Sequence, residues 1–266
     1  TLDAATDLGA FDIDLGTNNL QATAAQISGL TINNGSGDGT VPSTGLDGSA
    51  LDFSNVEADA AGTLTVASGG ATLDAATNLG DFSVEIGATD TLTLTTTGQA
   101  DARSVDITSG ATGTTLGVDI TGATSPITLD ASNYATGIET IALGANSSQN
   151  LTLTGLQLGN GQTLDATSLT GALNAGVTRT GSSSDAATIQ LANGQSDIAL
   201  TGDAASTASI TVELASAGNY SGNWTGFAST DSVALTSGAV SVDLTAVQNG
   251  TDIGGVTSIS IGSETL

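Results

Sequence analysis

The stretch TLDAATDLGAFDIDL, Thr1 to Leu15, returns almost unchanged as TLDAATNLGDFSVEI, Thr72 to Ile86. Each copy ends in strict alternation, Phe11-Asp12-Ile13-Asp14-Leu15 and Phe82-Ser83-Val84-Glu85-Ile86. Period two places the apolar side chains on one face of a strand and the polar ones on the other. Two looser echoes follow, ITLDASNYATGIETIAL from Ile127 and TLDATSLTGALNAGV from Thr163. The Thr-Leu-Asp starts, at Thr1, Thr72, Thr128 and Thr163, lie 71, 56 and 35 residues apart. These are near multiples of about 18, and a shared divisor of that size marks a coiled chain whose turns stack on one another.

The same alternation runs through the rest of the chain. Val105 to Ile107, Val118 to Ile120, Leu151 to Leu153, Ile210 to Leu214 and Val240 to Leu244 all read as short half-buried strands. Gly, Asn, Ser and Asp between them supply turns and positive φ. Ala22 to Leu30 and Asp243 to Gln248 allow at most single helical turns. The stretch 33–49 is Gly-, Ser- and Asp-rich, carries Pro42 and loses the apolar beat, so it reads as an inserted loop or a junction. The expected fold is all-β: one elongated parallel β-solenoid over 1–266 with turns of about 18–22 residues. Tandem β-sandwich modules are the alternative. Aromatics make up only 3% of the chain, and a small aliphatic core suits closely wound sheets better than a sandwich.

Composition narrows the function. Among 266 residues there are two cations, Arg103 and Arg179, against 27 acidic side chains and no His, for a formal charge of −25. Such a surface does not neutralise phosphates, which excludes nucleic acid, and an anionic membrane repels it. It attracts divalent cations, cationic polymers or a basic anchor protein. Cys is absent, so neither disulfides nor thiolate metal sites contribute. No apolar run is long enough to insert in a membrane. Met is absent even at position 1, which is expected of a segment taken from inside a longer polypeptide or from a processed end. The near absence of Lys and Arg leaves trypsin-like proteases little to cut, which points outside the cell.

The recurring Asp3, Asp74, Asp130 and Asp165 are the first metal candidates. In a solenoid they are expected at equivalent places in successive turns, either as corner residues accepting backbone N–H bonds or as oxygen ligands for Ca²⁺. Asp38, in Asn34-Gly35-Ser36-Gly37-Asp38-Gly39, is a fifth candidate on a degenerate version of the calcium β-roll phrase. Without His, Cys or Lys the usual nucleophile–base pairs are not available, so no enzymatic activity is expected. Polysaccharide cleavage by paired carboxylates on a β-helix remains a third reading. Tyr220, Trp224 and Phe227 lie together in NYSGNWTGF, either as a core plug or as a contact for a partner. Thr-x-Thr runs such as Leu92 to Thr96 resemble an ice-binding array, but Asp, Glu and Ser interrupt the outward positions. Six Asn-x-Ser/Thr sequons, at Asn34, Asn146, Asn150, Asn219, Asn223 and Asn249, are close to the number chance supplies.

The phrases TGIETIAL (Thr136 to Leu143), LQATAAQISGLTI (Leu20 to Ile32) and LTGALNAGVT (Leu169 to Thr178), with the Thr, Ala, Gly, Ser and Asp bias, resemble bacterial secreted β-strand-repeat surface proteins. These are the S-layer proteins and giant adhesins of the type I secreted, RTX-like kind. The resemblance implies a surface-displayed, calcium-stabilised solenoid forming a lattice or a stalk, and it carries over no individual ligand. The expected function is a structural cell-surface protein, an S-layer subunit or repeat segment of an extracellular fibre that assembles with Ca²⁺. Its partners would be copies of itself and a cell-surface polysaccharide or anchor protein. An adhesin module gripping a glycan or host protein is the alternative.

Overall fold

The computed structural model describes residues 1–3, 6–48, 50–73, 76–95, 107–109, 112–119, 123, 125–134, 137–144, 149–192, 198–203, 205–215, 218–235, 242–248 and 258–261. The chain divides into two compact units, Thr1–Leu116 and Gly117–Leu266. Apart from one helical turn and a three-residue 3₁₀ turn, the regular structure is strand, and every strand pairing described is parallel. The chain is a β-solenoid.

In the first unit the elements are β1 (Ile13–Asp14), β2 (Ala22–Thr23), α1 (Ala24–Ile27), β3 (Ile32–Asn33), β4 (Val41–Leu46), β5 (Ala61–Val66), β6 (Ala71–Leu73), β7 (Ser83–Ile86), β8 (Thr91–Thr95) and β9 (Ile107–Ser109). Strands β2, β4, β5, β7 and β9 form one sheet in that order; β1 pairs with β3, and β6 with β8. The single turn of helix is held by a capping box. Gln26 N–H donates to Thr23 Oγ1, and Thr23 N–H donates back to Gln26 Oε1 at 2.9 Å.

β10 (Thr115–Asp119) crosses the division. The second unit then holds β11 (Ile127–Asp130), β12 (Thr140–Leu143), β13 (Leu151–Leu158), β14 (Thr163–Asp165), β15 (Leu173–Arg179), β16 (Ala186–Leu191), β17 (Ile198–Thr201), β18 (Ser209–Leu214), β19 (Gly218–Thr225), β20 (Ser232–Leu235), β21 (Val242–Gln248) and β22 (Ser258–Ile261). Odd-numbered strands from β11 to β21 stack in one sheet and even-numbered strands from β12 to β22 in the other. The chain therefore visits each sheet once per turn, as a two-faced coil must.

Register gives the length of a turn. In the first unit the ladders advance from 19 residues (Ile13 opposite Ile32) to 23 (Val84 opposite Ile107). In the second they advance from 21 (Thr211 opposite Ser232) to 26 (Ser232 opposite Ser258). Turns thus begin inside the range expected from sequence and lengthen beyond it.

Side chains obey the alternation. Leu129, Leu153, Ala175, Leu200 and Trp224 stand in one register column and are all buried. Across the core, Ile141, Leu164, Ile189, Val212 and Val233 form the opposing buried column. Each such aliphatic side chain contributes about 1.5–3 kcal/mol on full burial.

Two sequence expectations fail here. The stretch 33–49 is neither an inserted loop nor a junction: it contains β4, which pairs on both sides with β2 and β5. Asp243 to Gln248 is strand rather than helical turn.

Candidate functional site

Two of the repeated aspartates, Asp130 and Asp165, do not occupy equivalent places. Within the second unit, Asp130 ends β11 in one sheet, whereas Asp165 ends β14 in the other. The expectation of one aligned acidic column is therefore overturned, because the Thr-Leu-Asp phrase recurs at different points of the turn. Both side chains act locally. Asp130 Oδ1 accepts from Ser132 N–H at 3.0 Å, and Asp165 Oδ1 accepts from Thr167 N–H at 2.9 Å and Thr167 Oγ1 at 2.6 Å. These are Asx turns. The Ser132 hydroxyl and amide hold the Asp130 carboxyl below the usual carboxylate range. Asp52 makes the same turn with Ser54 and is lowered for the same reason, the backbone bond contributing most.

Asp3 is exposed, and its carbonyl accepts from Thr6 N–H and from Gln26 Nε2. Asp38 is exposed as well. Asp74 lies outside the described residues, as does Arg103. Among the described residues no three Asp, Glu, His or Cys side chains come together as a group able to hold a metal ion.

The phrase around Asp38 is anchored by its first residue. Asn34 is buried; its N–H donates to Glu57 Oε2 at 3.0 Å, and its Nδ2 donates to Gly39 O at 3.2 Å and Asp59 O at 2.9 Å. The carboxamide closes its own turn and ties it to the next, which leaves the Asn34 sequon no free amide for a glycan. Asn150 is exposed. Asn219 and Asn223 lie in β19, while Asn146 and Asn249 are outside the described residues.

The aromatic group of the second unit is a core element. Trp224 is only 3% exposed and Phe227 only 5%. Trp224 continues the inward column opposite Leu200, and its buried Nε1 has no acceptor. Both rings are buried, as a plug requires. Tyr220 lies in β19, and its side chain is outside the described residues.

Sequence reasoning passed over Arg179. It ends β15 at 6% exposure, with Nη1 donating to Leu158 O and, at 2.9 Å, to Gly159 O. Its Nε and Nη2 are buried without acceptors. Burial lowers its pKa, opposed by the charges of Asp231, Asp185 and Asp203. Its own N–H donates to Asp203 Oδ2 at 3.2 Å. Asp231 is buried and accepts from Ile210 N–H and Ala228 N–H, both at 2.7 Å. Burial nevertheless raises its pKa, against those two bonds and the pull of Arg179. The cluster pins the corner between the two sheets across successive turns. The signal in the sequence was rarity: one of only two cations in the chain.

Two surface features complete the inventory. On the outer face of the even-numbered strands, Thr140, Thr163, Thr188, Thr211 and Ser232 fall opposite one another in a hydroxyl column. The neighbouring column reads Ala142, Asp165, Gln190, Glu213 and Ala234. Its carboxylates end any likeness to a flat uncharged ice-binding array, and Gln190 Nε2 bridges to Glu213 Oε2 at 2.8 Å. In the first unit a groove of about 420 Å³ crosses the outer face of the five-stranded sheet, lined by Thr23, Thr44, Thr65, Gln26 and Glu85 among others. Glu85 is the one carboxylate among its described lining residues, whereas glycoside hydrolysis uses a pair.

The fold defines the class, a parallel β-solenoid. No protein-family model, curated protein or solved structure matches the chain. Among the described residues no helix is long and apolar enough to cross a membrane.

Proposed function

We propose that this chain is a structural element of a cell surface, an S-layer subunit or a repeat segment of an extracellular fibre, assembling with divalent cations and Ca²⁺ in particular. The observation that carries the reading is the division of labour between the columns. Inward columns are apolar turn after turn, and outward columns carry Thr, Ser, Gln and carboxylates, with Gln190 bonded to Glu213 and Thr211 to Ser232 between neighbouring turns. The described chemistry holds turns in register. A net charge of −25 on this scaffold opposes side-by-side packing within the Debye length of about 8 Å at physiological salt. Divalent ions bridging exposed carboxylates of neighbouring copies relieve that repulsion, so cations act between copies rather than inside one. A surface polysaccharide or a basic anchor protein would hold the array.

Electron microscopy of purified protein with millimolar Ca²⁺ and with chelator tests this. Ordered sheets or fibres in Ca²⁺ that disperse on chelation support it. Material that stays monomeric in both conditions refutes it.

A further inference from the structure

Asn followed by Gly is the pair most prone to lose its side-chain amide, because a glycine nitrogen can close on the carboxamide with no Cβ in the way. The chain holds this pair at Asn34-Gly35, Asn160-Gly161, Asn193-Gly194 and Asn249-Gly250, and the first two are among the described residues. Both sit in turns with glycine at positive φ, 60° at Gly35 and 75° at Gly161. They differ in what holds the amide.

Asn34 is 2% exposed, and its Nδ2 donates to Gly39 O and Asp59 O. Losing that nitrogen would break both bonds and leave a carboxylate in the interior, a costly exchange. Asn160 and Gly161 are exposed, at the corner between β13 and β14. The described bond of the Asn160 side chain is made by Oδ1, which accepts from Ala186 N–H at 3.2 Å. Gly161 N–H donates to Ala186 O at 2.8 Å. A Cβ on Gly161 would meet nothing within 4 Å. Both reacting groups thus face solvent and are clamped by one residue of the next turn. Ala186 follows the exposed stretch 181–184. Asp185 braces that stretch, its Oδ2 accepting from Ser182 N–H at 2.6 Å and from Ser182 Oγ at 3.1 Å.

We propose that Asn160 is a self-modification site, converted without an enzyme to an aspartyl or isoaspartyl residue when Ala186 releases the corner. Hydroxide then takes the proton of Gly161 N–H, and the nitrogen attacks Asn160 Cγ. The new N–Cγ bond closes a succinimide ring. The Cγ–Nδ2 bond breaks, and Nδ2 leaves as ammonia with a proton from water. Water opens the ring at either carbonyl. Opening at Cγ gives the aspartyl residue, and opening at the main-chain carbonyl gives the isoaspartyl link. Water enters and ammonia leaves, so no oxidant or reductant is needed.

The isoaspartyl link adds a methylene carbon to the backbone of a corner whose flanks are fixed. Gly159 N–H donates to Gln162 Oε1 at 2.6 Å, and Gly159 O accepts from Arg179 Nη1 at 2.9 Å. A longer corner loses that fit, so a passing release of the clamp becomes a permanent loosening between turns. This goes beyond the assembly reading and needs no second copy.

The test ages the full chain at mildly alkaline pH and maps its fragments by mass spectrometry. The fraction converted is read at Asn34 and Asn160, with the chain unfolded in urea as the unrestrained reference. Hydrogen exchange at the Gly161 amide reports release of the clamp in the same buffer. In the native chain Asn160 should convert several-fold more slowly than in urea, and Asn34 should stay intact. Asp185→Ala should speed conversion of Asn160 and exchange at Gly161 by the same several-fold factor. Urea below the unfolding transition replaces that variant if it misfolds, again with conversion and exchange rising together. Asn160 as inert as Asn34 overturns the proposal, as does conversion in the native chain at the urea rate. Conversion that does not follow Gly161 exchange across these conditions also overturns it.

Discussion

Thr1–Leu15 and Thr72–Ile86 are nearly the same words, and the solenoid uses them differently. Both bend at the same glycine-assisted corner, yet Phe82 is core and Phe11 is surface. Leu73 is buried in β6, and Leu2 is half-exposed beside Gln21. What separates them is a neighbour. In a coil each turn is covered by the turn before it, so burial belongs to the stack rather than to the phrase.

The largest expected effect lies in that aromatic contrast. Phe82→Ala should cost about 3–5 kcal/mol in denaturant unfolding, because it empties a site closed by Phe53. Phe11→Ala should change stability by less than about 0.5 kcal/mol. Equal losses would mean that Phe11 is already covered.

Glycine comes next. A Cβ on Gly80 would sit 2.6 Å from Phe53 O, while on Gly9 it would meet nothing nearer than the Phe11 ring at 3.8 Å. Both substitutions bear about 1–2 kcal/mol for positive φ, so Gly80→Ala should exceed Gly9→Ala in measured loss. Matching losses would show that the preceding turn gives way.

Carboxylates repeat the lesson in the second unit. Asp130, held low by Ser132, stabilises the fold above the ordinary carboxylate range and loses that contribution as pH falls through its lowered value. Asp231, raised by burial, works the other way: its contribution is present at low pH and is lost as pH rises through its raised value. The stability of Asp231→Asn relative to the native chain should therefore climb with pH above the ordinary carboxylate value. A flat difference across that window would place Asp231 in solvent.

The smallest effect concerns the residue at the seventh position of the phrase, Asp7 or Asn78, whose side chain caps the corner. Asn78→Asp sets a carboxylate opposite Asp52 and should cost roughly 0.2–1 kcal/mol, less at high salt. Asp7→Asn should be neutral in the isolated chain. Identical, salt-independent behaviour of the two would remove the charge argument.

The alternation in Phe82 to Ile86 or Ile210 to Leu214 made the strands legible, because period two has one structural meaning. Parallel winding followed from repetition without helices. Turn length was harder to see. The 35 residues from Thr128 to Thr163 run from one sheet to the other and so measure about a turn and a half. A divisor taken from such spacings mixes half-turns with whole ones. Strand β4 was hidden because Pro42, Ser43 and Gly45 interrupt its apolar beat, although Val41 and Leu46 are fully buried. The Arg179 corner was invisible because its partners, Leu158 O, Gly159 O and Asp203, come from other turns. Trp224 could be read as plug or contact from sequence alone, and its buried place opposite Leu200 was not visible there because it depends on the register between turns.

Amide hydrogen exchange, comparing 1–15 with 72–86 in the same sample, tests the central claim that stacking neighbours and not the repeated phrase set the structure. Protection should be strong at Asn78, which is bonded to the preceding turn, and through Ser83–Ile86, which has turns on both sides, and weak at Asp7 to Asp12. Equal protection of the two copies would contradict it.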